Sequence, residues 1–396
     1  MNILVVNCGS SSLSFKVYQV GENGAVSVLL AGKARNVATR TQAEPHIEWV
    51  RDGKKQTRAC PLTLHSEAAQ EMLAVLADEG VYIDAVGHRF VHGGERFTTT
   101  TRINDSSLET LREVLPLAPI HNPNSFSAIE VCLEQLQSVP EFVVFDTAFH
   151  SSIPVEEREY ALPRDLAAQL GLRKYGFHGL SYQYVSQRAA EFLNRRVDDV
   201  KLIMCHLGTG GSSVCAFADG HSVATSMGFS PLAGLVMSTR CGDIDAEVAL
   251  ELVRHGMTAD EVSRVLNNNS GLIGLSGYSS NLAEIIAAAE AGDESCRVAF
   301  EVYASRLKHY LGAYTWLLGG ADAIVFTDDV GVTCWQLREK VCVGVDSLGV
   351  VVDSDANRSA RPDRISDVSS TQSRTRVIVL PTDEERIILE EVIRLL

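Results

Sequence analysis

Ile203-Met204-Cys205-His206-Leu207-Gly208-Thr209-Gly210-Gly211-Ser212-Ser213-Val214-Cys215 is the stretch whose reading decides the fold. An apolar run leads into a Gly/Thr turn and a second apolar run leads out, the pattern of a hairpin with small residues at its tip. Glycine lets a ligand approach the backbone closely, and successive N–H groups in such a turn form a nest for an anion. The chain opens in the same way, with Ile3-Leu4-Val5-Val6-Asn7, then Cys8-Gly9-Ser10-Ser11-Ser12, then Leu13-Ser14-Phe15-Lys16-Val17. A single Gly/Ser turn is most often an ordinary hairpin. Two such units about 200 residues apart, each opening what reads as a domain, suggest a duplicated architecture with two phosphate loops. The candidate phosphate contacts are Asn7, Ser10, Ser12, His206, Gly208, Thr209, Gly210 and Gly211.

The chain has 396 residues, 45% hydrophobic and 21% charged, which is the composition of an ordinary globular protein of two or three domains. A formal net charge of −15 argues against nucleic acid or an acidic membrane surface as partner. No uninterrupted apolar stretch reaches the roughly 18–20 residues needed to cross a bilayer. The first residues enter a strand with no leader-like pattern, so a cytoplasmic location is expected. The nine cysteines are scattered, without a C-x-x-C pair, and read as reduced, packed thiols.

In chain order, strands and a hairpin around Asp52-Gly53 lead to a helix over 66–79, and Val81–Val86 leads into Gly87-His88-Arg89-Phe90-Val91-His92-Gly93-Gly94. A short helix over 106–115 and a second over 124–137 precede Phe142-Val143-Val144-Phe145-Asp146, an apolar strand ending in a carboxylate. This order suggests an α/β domain with a mixed sheet, ending near residue 150. The second domain carries a helix over 181–194, the central hairpin and a strand at 221–226. Helices over 244–255, 258–267, 281–291 and 294–318 follow, then a buried strand at 323–327. The polar stretch 352–375 reads as an exposed loop, before a last strand and a terminal helix that starts at Asp383-Glu384-Glu385.

Several polar groups stand out of place. Arg89 follows a buried strand and suits bidentate binding of a carboxylate or phosphate, or an internal salt bridge. Asp146 lies at the carboxyl end of its strand, where α/β proteins bind ligands, although it also suits a turn cap. His121 and His178 sit in Pro- and Gly-rich loops, positions open to ligand contact or to plain surface exposure. Arg240 precedes a turn with Asp243 and Asp245, either of which suits a helix cap. Glu384 and Glu385 suit the terminal helix's dipole as well as they suit catalysis. The inventory lacks His/Cys metal spacing, a nucleophile elbow and a Walker lysine. It fits phosphoryl transfer, which needs positioning and charge neutralisation.

Six motifs then carry a resemblance. Asn7-x-Gly9-Ser10-Ser11-Ser12, Gly87-His88-Arg89-x-Val91-His92-Gly93-Gly94, Phe145-Asp146-Thr147-Ala148-Phe149-His150, Tyr175-Gly176-Phe177-His178-Gly179, Ser238-Thr239-Arg240-x-Gly242-Asp243-Ile244-Asp245 and Pro381-Thr382-x-Glu384-Glu385 resemble the acetate kinase (acetokinase) family, in the family's order and across essentially the whole chain. The resemblance implies an α/β fold of the duplicated actin-like/sugar kinase/Hsp70 (ribonuclease H-like) type, with two domains around a central cleft. Residues 1–150 plus 382–396 would form the N-terminal domain and 151–381 the C-terminal one, with the phosphoryl-donor site. It implies in-line phosphoryl transfer between acetate and acetyl phosphate, with Mg²⁺ as cofactor and a homodimer as the assembly. By matching position, Arg89 would hold the acetate carboxylate and Asp146 would orient or activate it. Arg240 and His178 would stabilise the transferring phosphoryl, supported by His121. Asn7 and Glu384 would help hold Mg²⁺. Val91, Ile120, Phe177 and Pro231 would form a small apolar pocket that separates acetate from propionate only weakly.

The departures from the family pattern cluster on the donor side. Ser14 stands where most members have Lys, with Lys16 further on. Thr209 and Gly211 replace Asn and Ala. Asn281 and Ala283 replace an acidic and a basic residue that contact adenosine. Asp328 and Asp329 replace two glycines that floor the nucleotide site, adding bulk and negative charge. These variants are similar to the pyrophosphate-linked branch of the family, so pyrophosphate/orthophosphate is the expected donor pair. An ordinary ATP/ADP-dependent acetate or propionate kinase is one alternative, and a non-catalytic metabolite sensor on the same fold is another.

Overall fold

The computed structural model describes residues 1–39 and 44–396, and the chain divides into two compact units. The first comprises Met1–Phe149 with Asp383–Leu396, the second His150–Thr382.

The first unit is built on an eight-stranded sheet. Its strands are β1 (Asn2–Cys8), β2 (Ser12–Val20), β3 (Val26–Arg35), β4 (His46–Arg51), β5 (Lys54–Ala59), β6 (Ala85–Phe90), β7 (Thr101–Arg102) and β8 (Glu141–Phe145), in the order β5-β4-β3-β2-β1-β6-β8-β7. The tight Gly9–Ser12 turn joins β1 to β2 antiparallel, whereas β6 and β8 add in parallel. Parallel addition needs crossovers, supplied by the helices His65–Asp78 and Asn122–Gln135. One face of the sheet packs Leu4, Val6, Phe15 and Val17 against Ala68, Met72 and Val131. The terminal helix Glu384–Leu395 lies against β6 and β1 and buries Ile387, Ile388, Leu389 and Val392. Gly87 makes that approach possible, since a Cβ there would sit 2.7 Å from Ile388 Cγ2 and 2.8 Å from Val392 Cγ2.

The second unit repeats the plan. Its strands are β9 (Leu202–Leu207), β10 (Ser212–Ala218), β11 (His221–Thr225), β12 (Ala323–Thr327), β13 (Ser366–Asp367) and β14 (Arg376–Val379), in the order β11-β10-β9-β12-β14-β13. The β9–β10 hairpin is antiparallel and β12 and β14 are parallel, as β1–β2, β6 and β8 are in the first unit. The two sheets therefore share one order and one strand sense around equivalent glycine turns, which is the duplication that the two hairpins suggest. Neither sheet closes into a barrel.

The stretch 352–375 is not the exposed loop expected. It contains the helix Ser354–Ser359 and β13, and Asn357 and Val368 are fully buried. The polar composition misleads because Asn357 is the partner of a buried arginine: Arg338 donates to Asn357 Oδ1 at 2.7 Å and to its carbonyl at 2.9 Å. Short helices at Val155–Arg158, Arg164–Leu170, Gly271–Ser276, Asp328–Thr333 and Trp335–Cys342 also went unread, being too short to show a period.

Candidate active site

In the first unit, β1, β6, β8 and the start of the terminal helix end together, and four expected residues meet there. Arg89, on β6, donates from Nε and Nη2 to the two carboxylate oxygens of Asp146 at 2.9 and 2.6 Å. Its Nη1 lies 3.2 Å from Asn7 Oδ1 and 3.1 Å from Glu384 Oε2. Asp146 is 1% exposed, and the bidentate guanidinium gives both of its buried carboxylate oxygens a donor. The internal salt bridge considered for Arg89 is thus present, and it is made to the very residues expected in the site. No contact to a substrate carboxylate is needed to hold Arg89 in place.

The turn that follows β1 is fixed from within. Gly9 N donates to Ser12 O at 2.8 Å, and His65 Nε2 bonds Gly9 O at 2.9 Å. Burial pushes the His65 imidazole below its ordinary value. Ser10 is exposed at the tip, Ser12 half-buried, and Ser14 pairs with Asn7 across the hairpin. Lys16 forms a 2.5 Å ion pair with Glu385. Burial opposes the Lys16 charge, yet the Glu385 carboxylate outweighs it and the ammonium is pushed up to about 12. His121 begins the helix Asn122–Gln135 and is half-buried. Val91 is half-buried too, whereas Ile120 is 65% exposed within this unit.

In the second unit the 208–211 turn, His178, His206 and Arg240 come together. Gly208 and Gly211 exchange backbone hydrogen bonds at 3.1 and 3.3 Å and close the turn. A Cβ on Gly211 would lie 3.2 Å from Arg240 Nη1 and 3.5 Å from His178 Nε2, so the turn lies directly against both groups. The His178 and His206 rings stack at 4.0 Å and 27°. His178 Nδ1 bonds Ser213 Oγ at 2.9 Å, and that hydroxyl also meets the Tyr182 phenol, which burial raises well above its ordinary value. His206 Nδ1 bonds Ser181 Oγ at 2.8 Å. His178 itself has φ +61°, a left-handed conformation uncommon outside glycine. Its loop is held by His150, whose Nε2 bonds Phe177 O at 2.9 Å and whose Nδ1 bonds Ser222 Oγ at 2.8 Å.

Arg240 differs from Arg89. Its guanidinium is largely withdrawn from water, and burial alone pulls it below its ordinary value. Its hydrogen bonds run to Pro231 O at 3.5 Å and to Met237 Sδ at 3.7 Å, and no carboxylate pairs with it among the described residues. A partly desolvated cation beside an anion nest is a place for a phosphoryl group. Pro231 is half-buried and Phe177 is buried within this unit.

The donor-side departures take up defined positions. Asn281 caps the helix Leu282–Glu290 by accepting from Ala283 N at 2.9 Å. Asp329 accepts from Thr209 N and Oγ1, and Asp328 Oδ2 lies 3.1 Å from His206 Nε2. Asp245 caps the next helix through Glu247 N, while Asp243 bonds Gly234 N and the Tyr310 phenol. The packing reading of the thiols agrees with their burial, which pushes Cys8 up to about 12 and Cys205 well above its ordinary value.

Comparison with known proteins adds an independent finding. The profile described as the acetokinase family matches residues 2–390. The chain belongs to that family. A Clostridium botulinum acetate kinase is 42% identical over 400 residues, covering 99% of this chain and 98% of its own. The crystal structure of the Entamoeba histolytica acetate kinase has a TM-score of 0.91 at 38% identity, covering 100% of this chain and 99% of that one. A propionate kinase from Francisella tularensis has a TM-score of 0.89 at 33% identity, over 98% of each chain. The acetokinase is accordingly an acetate kinase-type phosphotransferase with a carboxyl group as acceptor, and the sensor alternative falls away. These relatives lend the pyrophosphate-linked branch no support.

His65, Asn122, Glu141, His150, Ser181 and Ser213 were not singled out from sequence. Each acts through hydrogen bonds to backbone or side-chain atoms distant in sequence. Asn122 accepts from His92 N at 3.1 Å and donates to His92 O at 3.0 Å, and Glu141 Oε2 meets His88 Nε2 at 2.8 Å. His88, His92 and His150 lie inside quoted motifs, and that placement was the one available signal.

Proposed function

We propose that this acetokinase moves a phosphoryl group between a short carboxylate, acetate or propionate, and a nucleotide, with Arg240 and His178 stabilising the group in flight. The observation that carries the reading is the Arg240 guanidinium, partly buried and paired with no carboxylate among the described residues, beside Gly211 and His178. Such a cation gains most when charge spreads over the equatorial oxygens in the transition state. Asp146 orients the carboxylate substrate through Arg89 in this reading. Val91 and Ile120, apolar side chains of the first unit, suit the substrate's alkyl group in the same reading. The nucleotide donor is supported by the acetate kinase relatives. Pyrophosphate/orthophosphate is a second reading, favoured by one observation: Asp328 and Asp329 put carboxylates on the donor turn.

Mg²⁺ belongs to the same proposal. Among the described residues no group of three His, Cys, Asp or Glu side chains is placed to hold a metal. The hard oxygens of Asn7 and Glu384, both beside Arg89, fit an ion that keeps several waters and takes its remaining ligands from phosphates. Bound there, Mg²⁺ would neutralise phosphoryl charge. No helix among the described residues is long and apolar enough to cross a membrane, and a cytoplasmic location belongs to the same proposal. A homodimer, which the family resemblance implies, belongs to the same proposal.

The test mixes the protein, Mg²⁺ and acetyl phosphate with either ADP or orthophosphate, and follows ATP and pyrophosphate. ATP formed from ADP is the expected outcome. Pyrophosphate formed from orthophosphate, with no ATP from ADP, overturns the nucleotide reading in favour of the second. No loss of acetyl phosphate with either overturns both.

A further inference from the structure

Thr209, Asp328 and Asp329 form one connected set beside the 208–211 turn. Thr209 gives both its backbone N–H and its hydroxyl to Asp329, at 2.9 and 2.7 Å. Val330 N donates to the same carboxylate at 2.7 Å. Asp328 Oδ2 lies 3.1 Å from His206 Nε2, and a Cβ on Gly208 would sit 2.0 Å from that oxygen. The slot left by the missing Cβ of Gly208 is filled by the Asp328 carboxylate.

The juxtaposition follows from topology. β9 and β12 pair in parallel with Thr327 opposite His206, so the residue after Thr327 falls beside the start of the 208–211 turn. At that position the backbone is left-handed, with φ +63° at Asp328. Glycine adopts this conformation freely, and Asp and Asn tolerate it better than other residues. An aspartate here retains the backbone shape that a glycine would give and adds a carboxylate to it.

A backbone N–H, a hydroxyl and an imidazole N–H are what an anion-binding turn offers to a phosphate. Here each faces a carboxylate oxygen of the chain itself, which matches a phosphate oxygen in charge and hydrogen-bonding capacity. We propose that Asp328 and Asp329 are specificity-determining residues that occupy the phosphate contacts of the 208–211 turn, so that an incoming phosphate must displace them from His206 and Thr209. The inference rests on the reading of this turn as phosphate-binding, and it holds for either donor. It places discrimination at the phosphate, in addition to any effect of the two side chains on a nucleoside. The Asp329–Thr209 contact also couples the two positions: the effect of Asp329→Gly depends on whether residue 209 is Thr or Asn.

The test is calorimetric titration of inorganic orthophosphate into the full chain, without acetate or acetyl phosphate, so its readout does not depend on turnover or on the donor's identity. Asp328→Gly suits the positive φ, and Asp329→Gly removes the second carboxylate. Each single variant is expected to bind orthophosphate several-fold more tightly than wild type, and the double variant tenfold or more. Asp328→Asn with Asp329→Asn, which keeps shape and removes charge, should change affinity in the same direction and guards against misfolding of the glycine variants. Unchanged, weaker or unmeasurable orthophosphate binding in the double variants overturns the proposal. So does a gain confined to ADP, which would place the effect at the nucleoside.

Discussion

At the scale of single residues, two arginines with the same charge have opposite surroundings, and that difference assigns them different work. Arg89 is pinned by Asp146, Asn7 and Glu384 and behaves as a fixed part of the frame. Arg240 has no carboxylate among the described residues and holds its charge at the cost of partial desolvation. On the proposed role, in which the guanidinium meets the transition state, Arg240→Ala should lower kcat by about 10³ or more while changing the acetate KM little. Steady-state kinetics in both substrates checks this, and a loss of only tenfold would remove Arg240 from the transition state. Both arginines were legible in the sequence because each interrupts a buried or glycine-rich stretch. His150 was not: a histidine that bonds a carbonyl 27 residues away looks like any other histidine in the sequence. Its work shows at Gly176, where a Cβ would sit 2.6 Å from both His150 Cδ2 and Thr225 Cγ2. Gly176→Ala, at φ +76°, should displace the His178 loop, lowering kcat at least tenfold with little change in the melting of the first unit.

At the scale of elements, β-strands and long helices were legible from period and apolar content, whereas elements held by buried polar groups were not. The helix Asp328–Thr333 is the clearest case. Given no element by the sequence reading, it is a six-residue helix whose carbonyls at Gly331 and Val332 are held by Arg338. Arg338 is 1% exposed and donates to Gly331 O at 2.8 Å and Val332 O at 3.1 Å. Burial lowers its guanidinium to about 10. Arg338→Met would leave those carbonyls and Asn357 without their donor, costing about 3 kcal/mol or more, since each buried unsatisfied group costs about 1–3 kcal/mol. Scanning calorimetry should show the second unit melting several degrees lower; an unshifted transition would mean the arginine is dispensable. The β3–β4–β5 edge gives a prediction in pH. Glu48 lies between Arg35 at 2.5 Å and Lys55 at 2.7 Å, and their hydrogen bonds hold its carboxyl down to about 2. The folded value is depressed, so the contribution is complete above the ordinary carboxylate range and disappears as pH falls towards 2. At this partly solvated edge it is worth about 1 kcal/mol. Urea midpoints for wild type and Glu48→Gln should differ at pH 6 and converge near pH 2, and a gap that persists to low pH would rule out the charge as its source.

At the scale of the whole chain, the ends of the sequence decide where the first unit closes. Strands β1, β6 and β8 come from the first 145 residues, yet one face of β6 is covered only when the chain returns at Asp383. The duplication was legible because the two glycine turns recur with the same flanking pattern, and the returning helix was expected from the family resemblance. What the sequence could not show is how closely that helix approaches, since the approach depends on Gly87 having no Cβ. Ile387, Ile388, Leu389 and Val392 are fully buried, and Glu391 accepts from Thr100 at 2.6 Å. Burying four such aliphatic side chains is worth about 6–12 kcal/mol at roughly 1.5–3 kcal/mol each, comparable to the whole stability of a typical domain. A chain ending at Thr382 should therefore lose cooperative folding of residues 1–149 while the second unit, whose sheet and core lie within His150–Thr382, stays folded. Amide hydrogen exchange resolves the two units: protection should vanish in β1 and β6 and persist in β9 and β12. Gly87→Val, which closes the same gap without shortening the chain, should give the milder form of that pattern, with exchange in β6 accelerated and that in β12 unchanged. Protection retained in β6 of the truncated chain would show that the first unit folds without its returning helix, and the closure argument would fail at its first step.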